Sequence, residues 1–434
     1  MRDLDVVYLY EHAARELDVA CAVTARLRTG GARAEIVHWP TGFPHAVTRI
    51  RPRLVVLPFC YTEDSYEALL AYWREAIFFN LTWEQLFYLG NQKAKTPRGE
   101  FALKHVIHHA WSDMYKAFLM KNRIVEKNIF LNGQPAYALY DEPYRGYFPS
   151  KLELASRYGL DASRRWVFFP ENYNWAFYSE ATMQQFVRGG QSLAEINEMR
   201  EYCTRSLRDV LQWLALAAQN EHVEVIFRPR PSARMDEFQA AVKNILPEIP
   251  PHLHINQAGS VREWILASDV ILSSHSTSLI EGALAGKSVY IVEPHPIPSA
   301  LKVEWHDLLG HLKTRDELMQ VCAGGEQPAN TRLKDWARET MMKRGDSIRN
   351  ITGFIADLLS GKMDAPSPPT PEVATPTLTW IPPRWPWSVY RRIKQRARFN
   401  TTEGIEPEFV KDAVSRGEVD DRIQKWSRLL ASPG

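Results

Sequence analysis

A chain of 434 residues, 45% of them hydrophobic, is long enough for two α/β domains of ordinary size, at roughly 100–200 residues each, with a tail to spare. Its 53 basic and 51 acidic side chains leave a net charge of +2, which argues against a general nucleic-acid-binding surface and confines any basic patch to a local segment. The four cysteines, Cys21, Cys60, Cys203 and Cys322, form no CxxC pair and have no histidine at ligand spacing, so neither a zinc site nor a disulfide framework is indicated and a reducing cytosol is the simplest setting.

Charges run through the first stretch, MRDLDVVYLYEHAARELD, which lacks the apolar core of a secretory signal. No window reaches the roughly 18 apolar residues of a membrane-crossing helix, so the expected setting is cytoplasmic, with any membrane met from that side. Asp5–Tyr10 reads as the first strand and residues 11–28 as a helix stopped at Gly30-Gly31. Ala34–Trp39, Leu54–Pro58 and Ile77–Asn80 read as the next strands. Residues 100–122 carry apolar residues at helical spacing, and Asn128–Gly133 reads as a strand entering a turn. Short β-rich runs alternating with amphipathic stretches predict βαβ units and a parallel sheet.

The turn-rich segment Asp141–Pro149 breaks this pattern and places a domain boundary near residue 145. A second alternation starts at Arg165–Pro170. It continues through a long helix near 192–219 and strands at Val223–Phe227, His254–Asn256, Asp269–Ser273 and Ser288–Val292. Helices near 313–323 and 330–359 end the folded part. The predicted organisation is a first domain over 1–145, a second over 146–360, a proline-rich linker over 361–383 and a basic, aromatic tail over 384–434. Seven prolines between 366 and 383 favour an extended linker.

The most informative block is Ala267–Tyr290, where a strand ends at small hydroxyl residues, a helix begins, and Gly286 stops it before the next strand. In an open parallel sheet ligands bind beyond the carboxyl ends of the strands, where helix N-terminal amides favour anions. Ser274, Ser276, Thr277 and Ser278 offer hydroxyls to a phosphate, and His275 adds an imidazole. Glu281, further along the helix, suits a ribose diol and would repel a phosphate. The alternative is a packed strand-turn-helix whose serines cap the helix. After the strand at Val223–Phe227, Arg228 and Arg230 present two guanidiniums whose planar forks suit a phosphate, or else two solvated charges.

Glycosyl transfer needs a group to take the proton of an acceptor hydroxyl. Candidates at strand ends are Glu63 and Asp64, Glu84 in Trp-Glu-Gln, and Glu171 in Pro-Glu-Asn, each of which alternatively caps a helix. Glu171 leads, because Phe168, Phe169, Tyr173, Trp175 and Phe177 can raise its pKa and stack on a sugar, unless they are core. His105 and His109 have the i, i+4 spacing of a metal pair on a helix that would also carry His108, but no third ligand accompanies them, which favours packing roles.

The block Ser274–Lys287, with its Ser-Thr pair and a Glu followed by Ala-x-x-Gly-Lys, resembles the nucleotide-binding segment of bacterial GT-B glycosyltransferases that make capsules and lipopolysaccharide. Asn80–Gln85, His108–Ser112, Asn132–Pro135 and Phe169–Phe177 extend the resemblance to surface carbohydrate biosynthesis proteins over roughly residues 1–325. The resemblance implies a GT-B fold, two Rossmann-like domains facing a central cleft. It implies a nucleotide-sugar donor in the second domain, held by Arg228, Arg230, Ser274–Ser278, Glu281 and Lys287, and a glycan or lipid-linked glycan acceptor in the first. No metal or separate cofactor is implied.

In the related Kdo- and sialic-acid-transferring enzymes a His-Pro motif contacts the donor's cytidine monophosphate. Here Arg228-Pro-Arg-Pro stands at that position, His275 in the serine cluster is the candidate to supply the missing catalytic imidazole, and CMP-Kdo or another CMP-nonulosonic acid is the favoured donor. A CDP-polyol phosphotransferase, a nucleotide-sugar epimerase and a non-catalytic assembly scaffold are the rival functions. The segment 384–399, with six cations, no acid, and Trp385, Trp387, Tyr390 and Phe399, reads as an interfacial helix for anionic inner-membrane lipid. An RNA-contacting tail and a docking helix are its alternatives, and no nucleic-acid partner is expected.

Overall fold

The computed structural model describes residues 1–61, 66–86, 95–231, 233–325, 331–370 and 412–431. Glu63, Asp64 and the segment 384–399 lie outside the described residues, as does the linker beyond residue 370. The chain forms two compact units.

The first unit is built on a six-stranded sheet in the order β2-β1-β3-β4-β5-β6, every pair parallel. Its strands are β1 (Arg2–Tyr10), β2 (Ala34–His38), β3 (Ile50–Leu57), β4 (Ile77–Asn80), β5 (Val106–Ala110) and β6 (Ile129–Leu131). The expected helix over 100–122 is two helices, Glu100–Lys104 and Asp113–Lys121, flanking β5. Val106-Ile-His-His-Ala110 is buried at every position, and a strand covered on both faces shows no polar alternation to set it apart from a helix. Ser112 then starts the second helix by accepting from the Tyr115 amide at 3.2 Å.

The histidines therefore share no helix face. His108 and His109 are neighbours on β5, so their side chains leave opposite faces of the sheet. His108 bonds Ala102 O at 2.7 Å and lies 3.1 Å from Asn80 Nδ2, while His105 bonds Ser367 O at 2.7 Å. Burial pushes the pKa of His108 down to about 4 and that of His109 to about 3, so both rings are neutral packing groups.

The second unit repeats the plan with β7 (Arg165–Pro170), β8 (Val223–Arg228), β9 (Leu253–Ile255), β10 (Val270–Ser273), β11 (Ser288–Val292) and β12 (Gly310–Leu312). They form an all-parallel sheet ordered β12-β11-β10-β7-β8-β9. The long helix Leu193–Ala217 buries Met199, Cys203, Leu207, Val210 and Leu214 at intervals of three and four in the core with Val167, Phe169 and Val225. Both units are thus doubly wound and Rossmann-like.

The boundaries differ from those read in the sequence. The second unit includes Tyr137–Lys343, and the described residues from Arg344 onward belong with the first. The predicted helix 330–359 is two helices, Thr331–Met341 and Ser347–Ser360, parted at Gly345, whose φ is 77°. Ser347–Ser360 packs in the first unit, Phe354 stacking on Phe130 at 4.0 Å, with Asn350 Nδ2 donating to Asn132 Oδ1 at 2.9 Å. A final helix, Arg416–Ala431, lies against Asp18–Thr29, burying Val419, Ile423 and Trp426.

The helix Ser278–Leu284 approaches its sheet closely at Gly282, where an added Cβ would lie 2.8 Å from Val289 Cγ1 and 3.0 Å from Ile271 Cγ1. Gly282→Ala must push that helix off β10 and β11. It should cost about 1–3 kcal/mol, read as a lower urea midpoint with unchanged m-value.

Candidate functional site

In the second unit the chain lays β8 and β9 to one side of β7, then returns to lay β10, β11 and β12 on the other. The loops after β7 and β10 therefore part in opposite directions, leaving a crevice at the carboxyl ends of those two strands. Ser273 Oγ, on β10, donates to Pro170 O, on β7, at 2.5 Å and ties the two strand ends together. Glu171 follows the first strand and Ser274–Ser278 the second, so the topology itself brings these segments to one place.

Glu171 is only 4% exposed. Its Oε1 accepts from the Tyr173 amide and its Oε2 from the Arg230 amide at 3.3 Å, while its own N–H donates to Arg228 O at 2.9 Å. Burial pushes its pKa up, opposed by the Tyr173 amide and the nearby Arg230 charge. This carboxylate laces together the loops after β7 and β8. Phe168, Phe169, Tyr173 and Trp175 are buried in the core and offer no face to a sugar.

The two arginines part company. Arg228 ends β8 with its guanidinium turned onto the loop before Ser260, donating from Nη2 to Gly259 O at 2.7 Å and Gln257 O at 3.2 Å. It is 5% exposed and burial lowers its pKa to about 10. It fastens a loop rather than facing a phosphate. Arg230 is half-buried, and its charge bears on both Glu171 and His275.

After β10, Ser274 is buried, Ser276 and Ser278 are half-buried and Thr277 is exposed. Ser276 Oγ accepts from the Ser278 amide at 3.3 Å and donates to Ser278 Oγ at 3.2 Å, so the turn is self-bonded and Thr277 makes no side-chain cap. His275 is held neutral, burial and the charges of His306 and Arg230 lowering its pKa to about 3. Its Nδ1 is buried without a hydrogen-bond partner. At neutral pH this ring can donate or accept a hydrogen bond but is not a proton source.

Glu281, one turn into the helix, is fixed by residues on either side. Tyr140 donates to its Oε2 at 2.7 Å, and Arg262 Nε lies 3.9 Å from the same oxygen. The carboxylate keeps 14% of its side-chain surface exposed. Lys287, in contrast, precedes β11 and so lies at the amino end of the sheet, where the charge of Asp269 acts on it. The intervening helix carries the chain back across the sheet, about 1.5 Å per residue, and takes Lys287 away from the hydroxyl cluster.

Two groups of this unit went unnoticed in the sequence. Tyr140 and Arg262, which hold Glu281, sit in a turn and on a helix with no motif around them. Glu293, just after β11, bonds His311 Nδ1 at 2.5 Å, and His295 bonds Asp209 at 2.7 Å.

The first unit has its own switch point, between β1 and β3. Immediately after β1 come Glu11 and His12, followed by a π-helix, Ala13–Leu17. Buried Glu16 accepts from Glu11 N at 2.8 Å and from Arg15 Nη2 at 2.6 Å. Arg15 also reaches Glu84 Oε1 at 2.9 Å and Glu11 Oε2 at 3.4 Å. Burial alone would raise the Glu84 pKa, but Lys95 and Arg15, both ion-paired to it, hold it down to about 2. A carboxylate so stabilised is a poor proton acceptor. His12 Nδ1 meets Asp412 Oδ2 at 2.9 Å, and Ala13 N donates to Asp412 Oδ1 at 3.2 Å. Glu11 and His12 stand just past a strand end, as Glu84 and Glu171 do, and the same reading would have found them.

No family model matches the sequence, and neither does any curated protein. Solved structures do. S. aureus MnaA in complex with UDP aligns over 85% of this chain and 100% of its own at 11% identity, with a TM-score of 0.51. A UDP-N-acetylglucosamine 2-epimerase aligns over 85% and 100% at 12% identity and TM-score 0.49. The wall teichoic acid polymerase TagF aligns over 83% and 90% at 9% identity and TM-score 0.47. At such identities the likeness is one of fold, and with the two doubly wound sheets it defines a GT-B architecture.

Glu171→Gln puts an amide donor where two N–H groups need an acceptor. It should cost about 1–3 kcal/mol, measured by urea unfolding; unchanged stability would show that the Glu171 lacing is dispensable.

Proposed function

We propose that this chain is an enzyme of nucleotide-sugar chemistry, a glycosyltransferase that moves a sugar from a nucleotide-activated donor to a growing surface polysaccharide or lipid-linked glycan. The observation that carries the reading is the change of side in strand order between β7 and β10, with hydroxyls following β10 and a positioned carboxylate one turn further on. Phosphate oxygens would take the hydroxyls of Ser276, Thr277 and Ser278, with neutral His275 as an uncharged donor and Arg230 as the nearby cation. Glu281, whose Oε2 is engaged by Tyr140, would turn its other oxygen to a ribose diol. Arg228 and Lys287 are left out of the binding set. The UDP in the MnaA structure, on the same fold, supports a nucleotide as ligand.

The finer reading comes from the sequence resemblance: CMP-Kdo or another CMP-nonulosonic acid as donor, and capsule or lipopolysaccharide as product. No metal enters this scheme, and nucleotide departure is stabilised by hydrogen-bond donors placed in advance. Among the described residues no helix is long and apolar enough to cross a membrane. We place the protein in the cytoplasm, peripheral to the inner membrane, with the segment 384–399 as the contact to anionic lipid.

Calorimetry with CMP, UDP, GDP and their sugars tests the site. One nucleotide should bind, and Glu281→Ala should weaken it about 10-fold or more, the loss of a charge-assisted hydrogen bond of ~1.5–3 kcal/mol. Unchanged affinity removes Glu281 from the site. Product mass spectrometry then separates transfer of the sugar from transfer of a polyol phosphate or epimerisation of the donor, and binding without turnover of any donor would favour an assembly scaffold.

A further inference from the structure

The first unit carries an apolar and basic surface that the chemistry above does not use. Eight large hydrophobic side chains are exposed among the described residues, and three of them, Met114, Met120 and Val125, fall within one stretch of twelve residues at 57, 44 and 48% exposure. A single exposed apolar side chain needs no explanation, but several together mark a contact surface. The helix Asp113–Lys121 turns Tyr115 and Leu119 into the core and leaves Met114, Ala117, Met120 and Lys121 to solvent.

That helix ends in a Schellman turn. Arg123 N donates to Met120 O at 3.0 Å and Ile124 N to Leu119 O at 3.1 Å, which sets Arg123 at the left-handed position just past the cap, with φ at 72°. Glycine is the usual residue there, because a side chain at positive φ is strained. The arginine gains no partner inside the fold in return. Lys121, Arg123 and Lys127 are all exposed and none is ion-paired among the described residues, whereas Lys116 pairs with Glu126 at 2.6 Å. Ile124 alone turns inward, 2% exposed. Exposed apolar and cationic residues therefore alternate from Met120 to Lys127.

We propose that this turn, with Met114 beside it, is a docking surface for an anionic phospholipid bilayer. Met114, Met120 and Val125 enter the headgroup region, and Lys121, Arg123 and Lys127 meet the lipid phosphates. The assignment rests on the peripheral placement above and adds to it a contact in the folded part of the chain, separate from the segment 384–399. The turn leads into β6, so it stands at the amino edge of the first sheet. Docking there turns the carboxyl edge, with Glu11, His12 and Glu84, away from the bilayer.

Charge complementarity selects the occupant. From residue 113 to residue 127 four cations stand against two acids, Asp113 and Glu126, and Glu126 is already paired. A protein partner would call for a joined apolar centre with a polar rim, and here cations separate the apolar side chains. A nucleic acid would take the cations and leave the methionines and the valine in water. A surface that is anionic outside and apolar just beneath matches both sets at once.

The test uses the full chain and vesicles of phosphatidylcholine, alone or mixed in equal parts with phosphatidylglycerol, read by co-sedimentation. Only the anionic vesicles should bind, and salt should release the chain. With the six cations of 384–399 replaced by serine, binding should weaken but persist. In that background Arg123→Gly, which removes the cation yet suits the turn, should lower the partition about fivefold, and Lys121→Ser and Lys127→Ser added to it about 100-fold in all. Met120→Gln with Val125→Thr should lower it about 10-fold with the charge unaltered, which adsorption by charge alone would not do. The four native cysteines are buried, so a polarity-sensitive dye on Val125→Cys reports on this turn, and its emission should move to the blue on anionic vesicles. An unmoved dye, an undiminished partition in the triple variant, or loss of all binding once the 384–399 cations are gone overturns the docking surface while the peripheral placement stands. If the unaltered chain binds no anionic vesicle, the peripheral placement fails and takes the docking surface with it.

Discussion

Parallel pairing is the constraint on which the rest of this molecule depends. When all six strands of a sheet run the same way, their carboxyl ends share one edge, and each connection must cross the sheet through a helix or loop. Where successive strands change from one side of the first strand to the other, neighbouring loops diverge and leave a crevice. That happens between β7 and β10 in the second unit and between β1 and β3 in the first. Glu171, Ser274 and His275 meet at one of these points, and Glu11 and His12 stand at the other. Lys287 drops out by the same logic, since it opens β11 instead of following a strand.

The environment then sorts chemically identical side chains into different roles. Glu84, Glu171 and Glu11 each follow or lie near the carboxyl end of a strand. Glu84 is half-exposed between two cations and is held ionised at low pH. Glu171 is sealed beneath the surface with backbone amides on both oxygens and serves the backbone. Glu11 remains part-exposed, and burial, with the charges of Glu16 and Glu84, pushes its pKa up against the pull of His12 and Arg15. Arg228 and Arg230 divide similarly, one spent on the carbonyls of Gln257 and Gly259, the other left half-buried among the groups of the crevice. Residue type and position relative to a strand define a candidate, and only the neighbours decide what it can do.

This explains how far the sequence could be read. Strands with β-branched and aromatic runs bounded by turn residues, such as Arg165–Pro170 and Ser288–Val292, were legible because they differ locally from helices. β5 was not, since Val106–Ala110 lies between two helices and is buried on both faces. β12, Gly310-His-Leu312, holds no β-branched or aromatic residue to mark it as a strand. Of the site, the Ser274–Ser278 turn and Glu281 were visible through the order strand, hydroxyls, helix. Tyr140 and Arg262 were invisible, because they reach Glu281 from 141 and 19 residues away, and such long-range pairs leave no local pattern. Asp412 was hidden for the same reason, 400 residues from His12.

The return of the chain to its starting unit has its own physical logic. The helix Asp18–Thr29 is buried along most of its length and needs cover on its outer side. Arg416–Ala431 supplies it with Val419, Ile423 and fully buried Trp426, while Arg28 with Asp420, Arg422 with Asp18, and Arg416 with Glu35 set the register. An ion pair open to solvent on both sides, as Arg28 with Asp420 is, contributes little energy, ~0–1 kcal/mol, so the apolar triad carries the docking and the charges choose its alignment. That alignment delivers Asp412 to His12. A helix that looks like mere cover thereby fixes a carboxylate just past the carboxyl end of β1, and the C-terminal segment is tied to the N-terminal strand.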